Sequence, residues 1–301
     1  MTFFRLKYFT LLVWGFVLSA PICAQTQVKE SFISKVIKLT PTSTWKLVES
    51  IPLSFPAHHP QGMVKIGDFF CMSSVEVIDR AEGKGVGHLF KFDLNGKLLA
   101  DVVLGENAAY HPGGIDFDGK NLWVPVAEYR PNSTSIVYKV DPSTLRTEEA
   151  FRFNDHIGGI VHDTDSHKLH GISWGSRAYY KWALPNENKP IPNPQSAKGI
   201  TNSSFYIDYQ DCHYVGNNHM LCGGLKTYGN GNAVFRLGGL ELVNLSSHQA
   251  VYQIPLALYA PSGRPMTQNP FWLEITPNGL RGYFVPDDDQ ATMYVYEVEV
   301  N

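Results

Sequence analysis

Long apolar runs are almost missing from this sequence. The one early stretch, TLLVWGFVLSA at 10–20, closely follows Arg5 and Lys7 and is too short for a membrane span. It reads as the core of a secretory signal covering 1–24, with cleavage after Ala24. No later stretch is long and apolar enough to cross a bilayer, so stable membrane insertion is not expected and the mature chain is expected to be secreted or periplasmic. Clustered positive charge is missing too. Loss of residues 1–24 takes the 25 basic residues to 23 against 28 acidic ones, and no basic run remains to suit a nucleic acid. Cysteine is scarce, with four in 301 residues. Neither C-x-x-C nor H-E-x-x-H occurs, so no compact metal motif is present. Helical periodicity is nearly absent.

What the chain has is 26 glycines, 19 prolines and 13% aromatic residues, the composition of short strands joined by tight turns. The strand-like runs repeat. GMVKI, FFCMSSVEV, HLFKFDL and LLADVVL form a first unit, with Asn95-Gly96 as a hairpin turn. GGIDFD, NLWVPVAEY, SIVYKVD and EEAFRF form a second. GGIVHD, KLHGISWG and YYKWAL begin a third, whose fourth strand is poor. YQDCHYV, HMLCGGL, GLELVNL and AVYQIPL form a fourth, with KTYGNGNAVFRLGG taken as a loop within it. The last unit, FWLEITP, LRGYFVP and ATMYVYEV, is one strand short, and WKLVESIPL at 45–53 is a surplus strand before the first. The expectation is an all-β chain: 25–44 as a lead-in and 45–301 as a single five-bladed β-propeller whose N-terminal strand closes the last blade. Closure removes two open sheet edges. A six-bladed ring is the alternative and would need strands from 185–204 or 256–268.

A local device recurs at blade starts. AHHPQGM, AYHPGGI and NDHIGGI each place a histidine before glycine: His59, His111 and His156. A matching turn places Asp208 in the same register of the fourth blade, and the likeness of NPFW to HPGG places Asn269 in that of the fifth. These five are expected to converge near the propeller axis, with His58 and Asp155 beside them. The second strand of each blade returns to that face, ending in Ser74 and Glu76, in Glu128, Tyr129 and Arg130, in Trp174, Ser176 and Arg177, and in the run Asp287–Asp289. Polar residues that merely tie blades together are the structural alternative.

Imidazoles and a carboxylate on one axis could hold one divalent ion such as zinc, iron or manganese, with His59, His111, His156 and Asp208 as ligands. Without metal, His111 and His156 are candidates for acid–base work with Glu128 and Arg130. Tyr129, Asp155, Trp174, Arg177 and Asn269 are candidate substrate contacts. That set suits a lyase or hydrolase acting on a carbohydrate, including one with uronic acid, or on a small organic acid or lactone. The alternative is a noncatalytic propeller that captures a small molecule or carbohydrate. A monomer is expected. Cys212 and Cys222 fall opposite each other if Gly216–Asn218 is a three-residue turn, which makes them a candidate disulfide. Cys71 reads as a core thiol.

HPGGIDFDG, VPVAEYRP and DHIGGIVHD together resemble an uncharacterised family of secreted β-propeller proteins of bacteria and fungi. The matching positions are His111, Gly113, Gly114, Glu128, Tyr129, Arg130, Asp155 and His156. In architecture alone the chain is similar to five-bladed arabinan-degrading enzymes and to propeller lactonases, although the calcium-ligand pattern of the lactonases is not evident.

Overall fold

The computed structural model describes residues 32–185, 189–231 and 233–300. The expected signal segment lies outside the described residues. A helical turn at 32–36 precedes strand β1 (Trp45–Pro52). Blade one follows as β2 (His59–Ile66), β3 (Phe69–Asp79), β4 (Lys84–Asp93) and β5 (Leu98–Leu104). In blade two, β6 (Ala109–Pro112) and β7 (Asp116–Phe117) share the innermost place, followed by β8 (Leu122–Glu128), β9 (Ser135–Val140) and β10 (Thr147–Phe153). Blade three is β11 (Ile157–Asp163), β12 (Lys168–Ser173), β13 (Ala178–Ala183) and the two-residue β14 (Ile200–Thr201). Blade four is β15 (Asp208–Gly216), β16 (His219–Asn230), β17 (Ala233–Asn244) and β18 (Gln249–Leu256). Blade five is β19 (Phe271–Thr276), β20 (Gly279–Phe284) and β21 (Thr292–Glu299), with β1 paired antiparallel to β21 as its outer strand.

The architecture is therefore a five-bladed propeller closed by its N-terminal strand. Residues 185–204 supply only β14 in strand form, and 256–268 hold an isolated bridge and a 3-10 turn, so no sixth blade forms among the described residues. Two local expectations change. Most of the segment taken as a loop in blade four is paired strand, because β16 and β17 run together out to Asn230 opposite Ala233. The turn between β15 and β16 has two residues rather than three. Gly216 pairs with His219, and Asn217 and Asn218 turn the chain at φ 48° and 60°. Asparagine tolerates this left-handed region, which suits a tight hairpin. Cys212 still lies opposite Cys222, and the two are joined as a disulfide.

Burial grades from axis to rim. Outer strands alternate, as in β5 (Leu98–Leu104), whereas inner β6 is buried throughout. The buried apolar side chains fall into separate groups, each at a blade–blade boundary. Met63, Phe70 and Phe92 meet Tyr283 and Met293 between blades one and five. Leu89 and Cys71 meet Ile115 and Val124 between one and two. Val36 and Leu39 of the lead-in join Leu240, Phe271 and Phe284 between four and five. Each fully buried side chain of this size contributes about 1.5–3 kcal/mol, so the boundaries hold the ring together.

At the axis a second tie operates. The buried Asp211 carboxylate accepts hydrogen bonds from Met63 N (2.9 Å) and Ile115 N (3.2 Å), joining blades four, one and two. Asp116 accepts from His162 N (2.9 Å) and Tyr214 N (3.4 Å), joining blades two, three and four. His213 Nε2 donates to Phe271 O of blade five (2.9 Å) and lies 3.3 Å from Asp211. Burial drives the Asp116 carboxyl up to about 6 and raises Asp211 as well. Against the cost of burial, Asp211 and Asp116 keep the His213 imidazole basic. Three side chains of inner strands thus bind all five blades. A structural lattice therefore exists, built on Asp211, Asp116 and His213 in addition to the blade-start histidines.

Candidate functional site

The glycines of the blade-start device work through closeness. Gly114 and Gly159 form a parallel bridge between the inner strands of blades two and three. A Cβ at Gly113 would stand 2.2 Å from Gly158 O, and one at Gly62 would stand 2.5 Å from Ile115 N. Only a bare backbone admits that approach. Strands drawn so near the axis leave their first side chains crowded around one opening.

That opening is a cavity of about 250 Å³ lined by His59, His111, His156 and Asp208, with Tyr129 and Trp174 as aromatic walls. The His59 and His111 rings are 6.4 Å apart, and those of His111 and His156 are 6.3 Å apart. Tyr129 stacks on His111 at 4.6 Å, and Trp174 stands edge-on to His156 at 4.8 Å. A larger cavity of about 380 Å³ lies further along β15 and β19, but its walls are mostly apolar, and its His213 belongs to the axial lattice.

The three imidazoles differ in their partners. His59 Nδ1 is 2.8 Å from the Asp288 carboxylate, so Nδ1 carries the proton and Nε2 keeps a free lone pair. Asp288 is held by Arg264 at 2.8 Å and by Asn269 Nδ2 at 3.2 Å. Burial would raise its carboxyl, but His59 and Arg264 together bring it below the usual range. His156 Nδ1 donates to Glu128 O (2.8 Å), which likewise leaves Nε2 as an acceptor. His111 Nε2 is buried without a partner. Burial lowers both His111 and His156, and His111 is held further down by the Arg80 guanidinium and by the repulsion it would meet from His156 and His59 when these are protonated, so both favour the neutral form at pH 7.

Several sequence expectations are displaced. The Glu128 carboxylate faces away from the cavity, bonded to Arg130 Nε (2.8 Å) and Thr134 Oγ1 (2.8 Å). It enters the site through its carbonyl alone, and exposed Arg130 does not reach the cavity lining. Strand alternation explains this, since Glu128 ends β8 and its side chain takes the outer face. Asp155 is occupied by His156 N and by the Tyr180 hydroxyl at 2.7 Å, a structural duty. Asn269 is buried against Pro286 O and Asp288, one layer behind His59. Arg177 sits at the rim, 3.2 Å from Asp208, with its cation over Phe205. The expected metal set does not assemble. Among the described residues His59, His111, His156 and Asp208 bring no three donors within 4.8 Å of one another. The Asp208 oxygens are also taken by Lys226 at 2.8 Å and by Arg177.

Sequence spacing had no means to find Arg80, whose guanidinium lies 4.3 Å over Tyr129, or Lys226, which belongs to the strand taken as a loop. Ser173 did carry a signal. GISWG at 171–175 has the spacing G-x-S-x-G, and Ser173 lines the cavity. It is not a nucleophile elbow. Ser173 has an ordinary extended backbone (φ −77°), a 3-10 turn follows in place of a helix, and its Oγ accepts from Ala178 N at 2.8 Å.

Among solved structures the chain is similar to the tail fibre of Staphylococcus aureus phage P68, at 10% identity and a TM-score of 0.53, over 90% of this chain and 56% of the fibre. This chain thus spans little more than half the length of that fibre, and identity of this order speaks to fold alone. Weaker likeness extends to a Bacillus subtilis arabinanase (11% identity, TM-score 0.43, 82% of this chain and 95% of that one). It extends also to a luciferin-regenerating enzyme (10% identity, TM-score 0.47, 83% and 95%). Among curated proteins none matches. Residues 16–301 match the family described as "Family of unknown function (DUF6454)", and the chain belongs to that family.

Proposed function

We propose that the axial cavity is the active site of an acid–base enzyme, a lyase or hydrolase acting on an acidic sugar or on a small organic acid or lactone. The observation that carries this reading is the convergence of three imidazoles in three different settings, His59 on a carboxylate, His156 on a carbonyl and His111 with an unpartnered Nε2, in one cavity with cationic groups at its rim. His59 is the base. The Asp288 carboxylate on Nδ1 stabilises the charge gained when Nε2 takes a proton from substrate or water. His156 stays neutral and accepts a hydrogen bond from a ligand hydroxyl through Nε2. His111 holds the stack with Tyr129 in place. Trp174 and Tyr129 offer faces to a sugar ring. Asp208 carries two cations, Lys226 and Arg177, so that group of three has a net positive charge that suits a ligand carboxylate.

The test uses polyuronate oligosaccharides and aldonolactones as probes. Turnover is followed by the ultraviolet absorbance of an unsaturated uronate or by acid release at constant pH, and binding by calorimetry. Turnover is expected with one probe class. His59→Ala is expected to lower kcat about 10²–10⁴-fold with the fold intact, and Arg130→Gln is expected to leave it unchanged. Capture of an oligouronate with no turnover would assign the cavity to binding alone. Equal activity in His59→Ala and the parent chain would remove His59 as the base.

A further inference from the structure

Beside the axial cavity, blade one carries a second group of side chains that this acid–base reading does not use. His58, Glu76 and His88 place one donor atom each within 4.8 Å of the other two. His88, on β4, is 91% buried, and its Nε2 has no hydrogen-bond partner. That atom lies 4.0 Å from Glu76 Oε2. On the other side of the ring, Nδ1 is 3.0–3.1 Å from both oxygens of Asp101 on β5. A carboxylate on Nδ1 fixes the tautomer, so Nε2 presents its lone pair towards Glu76 and His58. The His58 ring lies nearly parallel to that of His88, with centroids 5.0 Å apart.

His58 is held there by an unusual backbone. Its φ is 51°, in the left-handed region that costs a non-glycine residue energy. Two backbone bonds pin it to blade five: Asp289 N donates to His58 O (2.6 Å), and Ala57 N donates to Asp289 O (2.7 Å). This conformation turns His58 onto His88 while its neighbour His59 lines the axial cavity.

We propose that His58, Glu76 and His88 form a binding site for one divalent transition ion of the zinc type. Two imidazoles and one carboxylate are a borderline donor set that favours zinc over calcium or magnesium, which prefer all-oxygen sites. Zinc bonds of about 2.0–2.2 Å require the donors to draw closer than they now stand. Glu76 has the freedom to do this, since its side chain is 46% exposed, while Asp101 holds His88. Three protein ligands leave the fourth tetrahedral position to water. The rival account is a protonated His88 bridging Glu76 and Asp101 with no ion.

The test takes the full chain without a polyhistidine tag, strips it with chelator and titrates it with zinc chloride. Calorimetry and elemental analysis after dialysis measure binding, and cobalt(II) substitution reports coordination geometry. One zinc per chain is expected, with tetrahedral cobalt absorption. Glu76→Gln and His58→Gly are each expected to weaken zinc at least 10-fold while far-ultraviolet circular dichroism stays unchanged. Glycine at 58 keeps the positive φ available. Asp101→Asn is expected to weaken zinc about 10–100-fold. Absence of stoichiometric zinc would overturn the site. So would binding unchanged in both Glu76→Gln and His58→Gly, or binding lost in His59→Ala but kept in those two.

Discussion

His58 and His59 share a peptide bond and serve different places, which shows how much one dihedral decides at the residue scale. The pattern AHHPQGM marks both as notable, but only the left-handed φ at His58 sends one ring to His88 and leaves the other at the axis. Other histidines are plain packing. His170 on β12 is 1% exposed, neither ring nitrogen has a partner, and its ring lies 5.5 Å from His248. Burial, with help from the neighbouring His248, lowers it to about 3. Here the unfolded chain binds the extra proton, so stability falls as pH drops below the ordinary imidazole value of about 6.5. Between pH 7 and 5 this one group costs about 2 kcal/mol, as the slope rises to 1.36 kcal/mol per unit below the unfolded value. The advantage of the parent chain over His170→Leu is expected to shrink by that amount across the window, as measured by urea unfolding at each pH. Nothing in KLHGISWG separates this buried histidine from the functional ones, because desolvation is a property of the surroundings.

At the scale of the element, the recurring His-x-x-Gly device combines two functions that are separable. The glycines let inner strands touch, and the histidines occupy the opening that results. Gly113→Ala would drive a methyl group to 2.2 Å from Gly158 O, which is backbone and cannot swing aside. A loss of about 3 kcal/mol is expected, read as a fall in the urea midpoint, before any question of activity arises. The device was legible from spacing alone, since Gly62, Gly114 and Gly159 recur at blade length. The direction of side chains at strand ends was not. Glu128 and Tyr129 are adjacent in VAEYRP, yet Tyr129 lines the cavity and the Glu128 carboxylate faces Arg130 and Thr134. The long β16–β17 hairpin was missed because glycine and asparagine in KTYGNGN look like loop. Cross-strand hydrogen bonds carried it as strand, and with it Lys226 came to Asp208.

At the scale of the whole molecule, the ring is closed by noncovalent contact between distant parts of the chain. β1 covers β21, and Ile51 enters the core between blades five and one. Removing residues 1–52 is expected to expose the β21 edge and cause self-association, detectable by light scattering. Removing residues 1–44 keeps that edge covered and is expected only to lower Tm, through loss of Val36 and Leu39 from the boundary of blades four and five. The sequence by itself determined the strand periods, the closing strand and the histidine–glycine device that starts three of the blades, and it favoured five blades with six left as the alternative. Those features follow from local patterning and from repeats, which are written along the chain. Only the tertiary structure decided which side chains meet: Asp288 with His59, a carbonyl rather than a carboxylate of Glu128 with His156, and His58 with Glu76 and His88. The first two pairs stand on different blades, His59 and Asp288 as far as 229 residues apart, the last set lies within blade one, and all of these meetings depend on twist, register and single backbone dihedrals that no local pattern encodes.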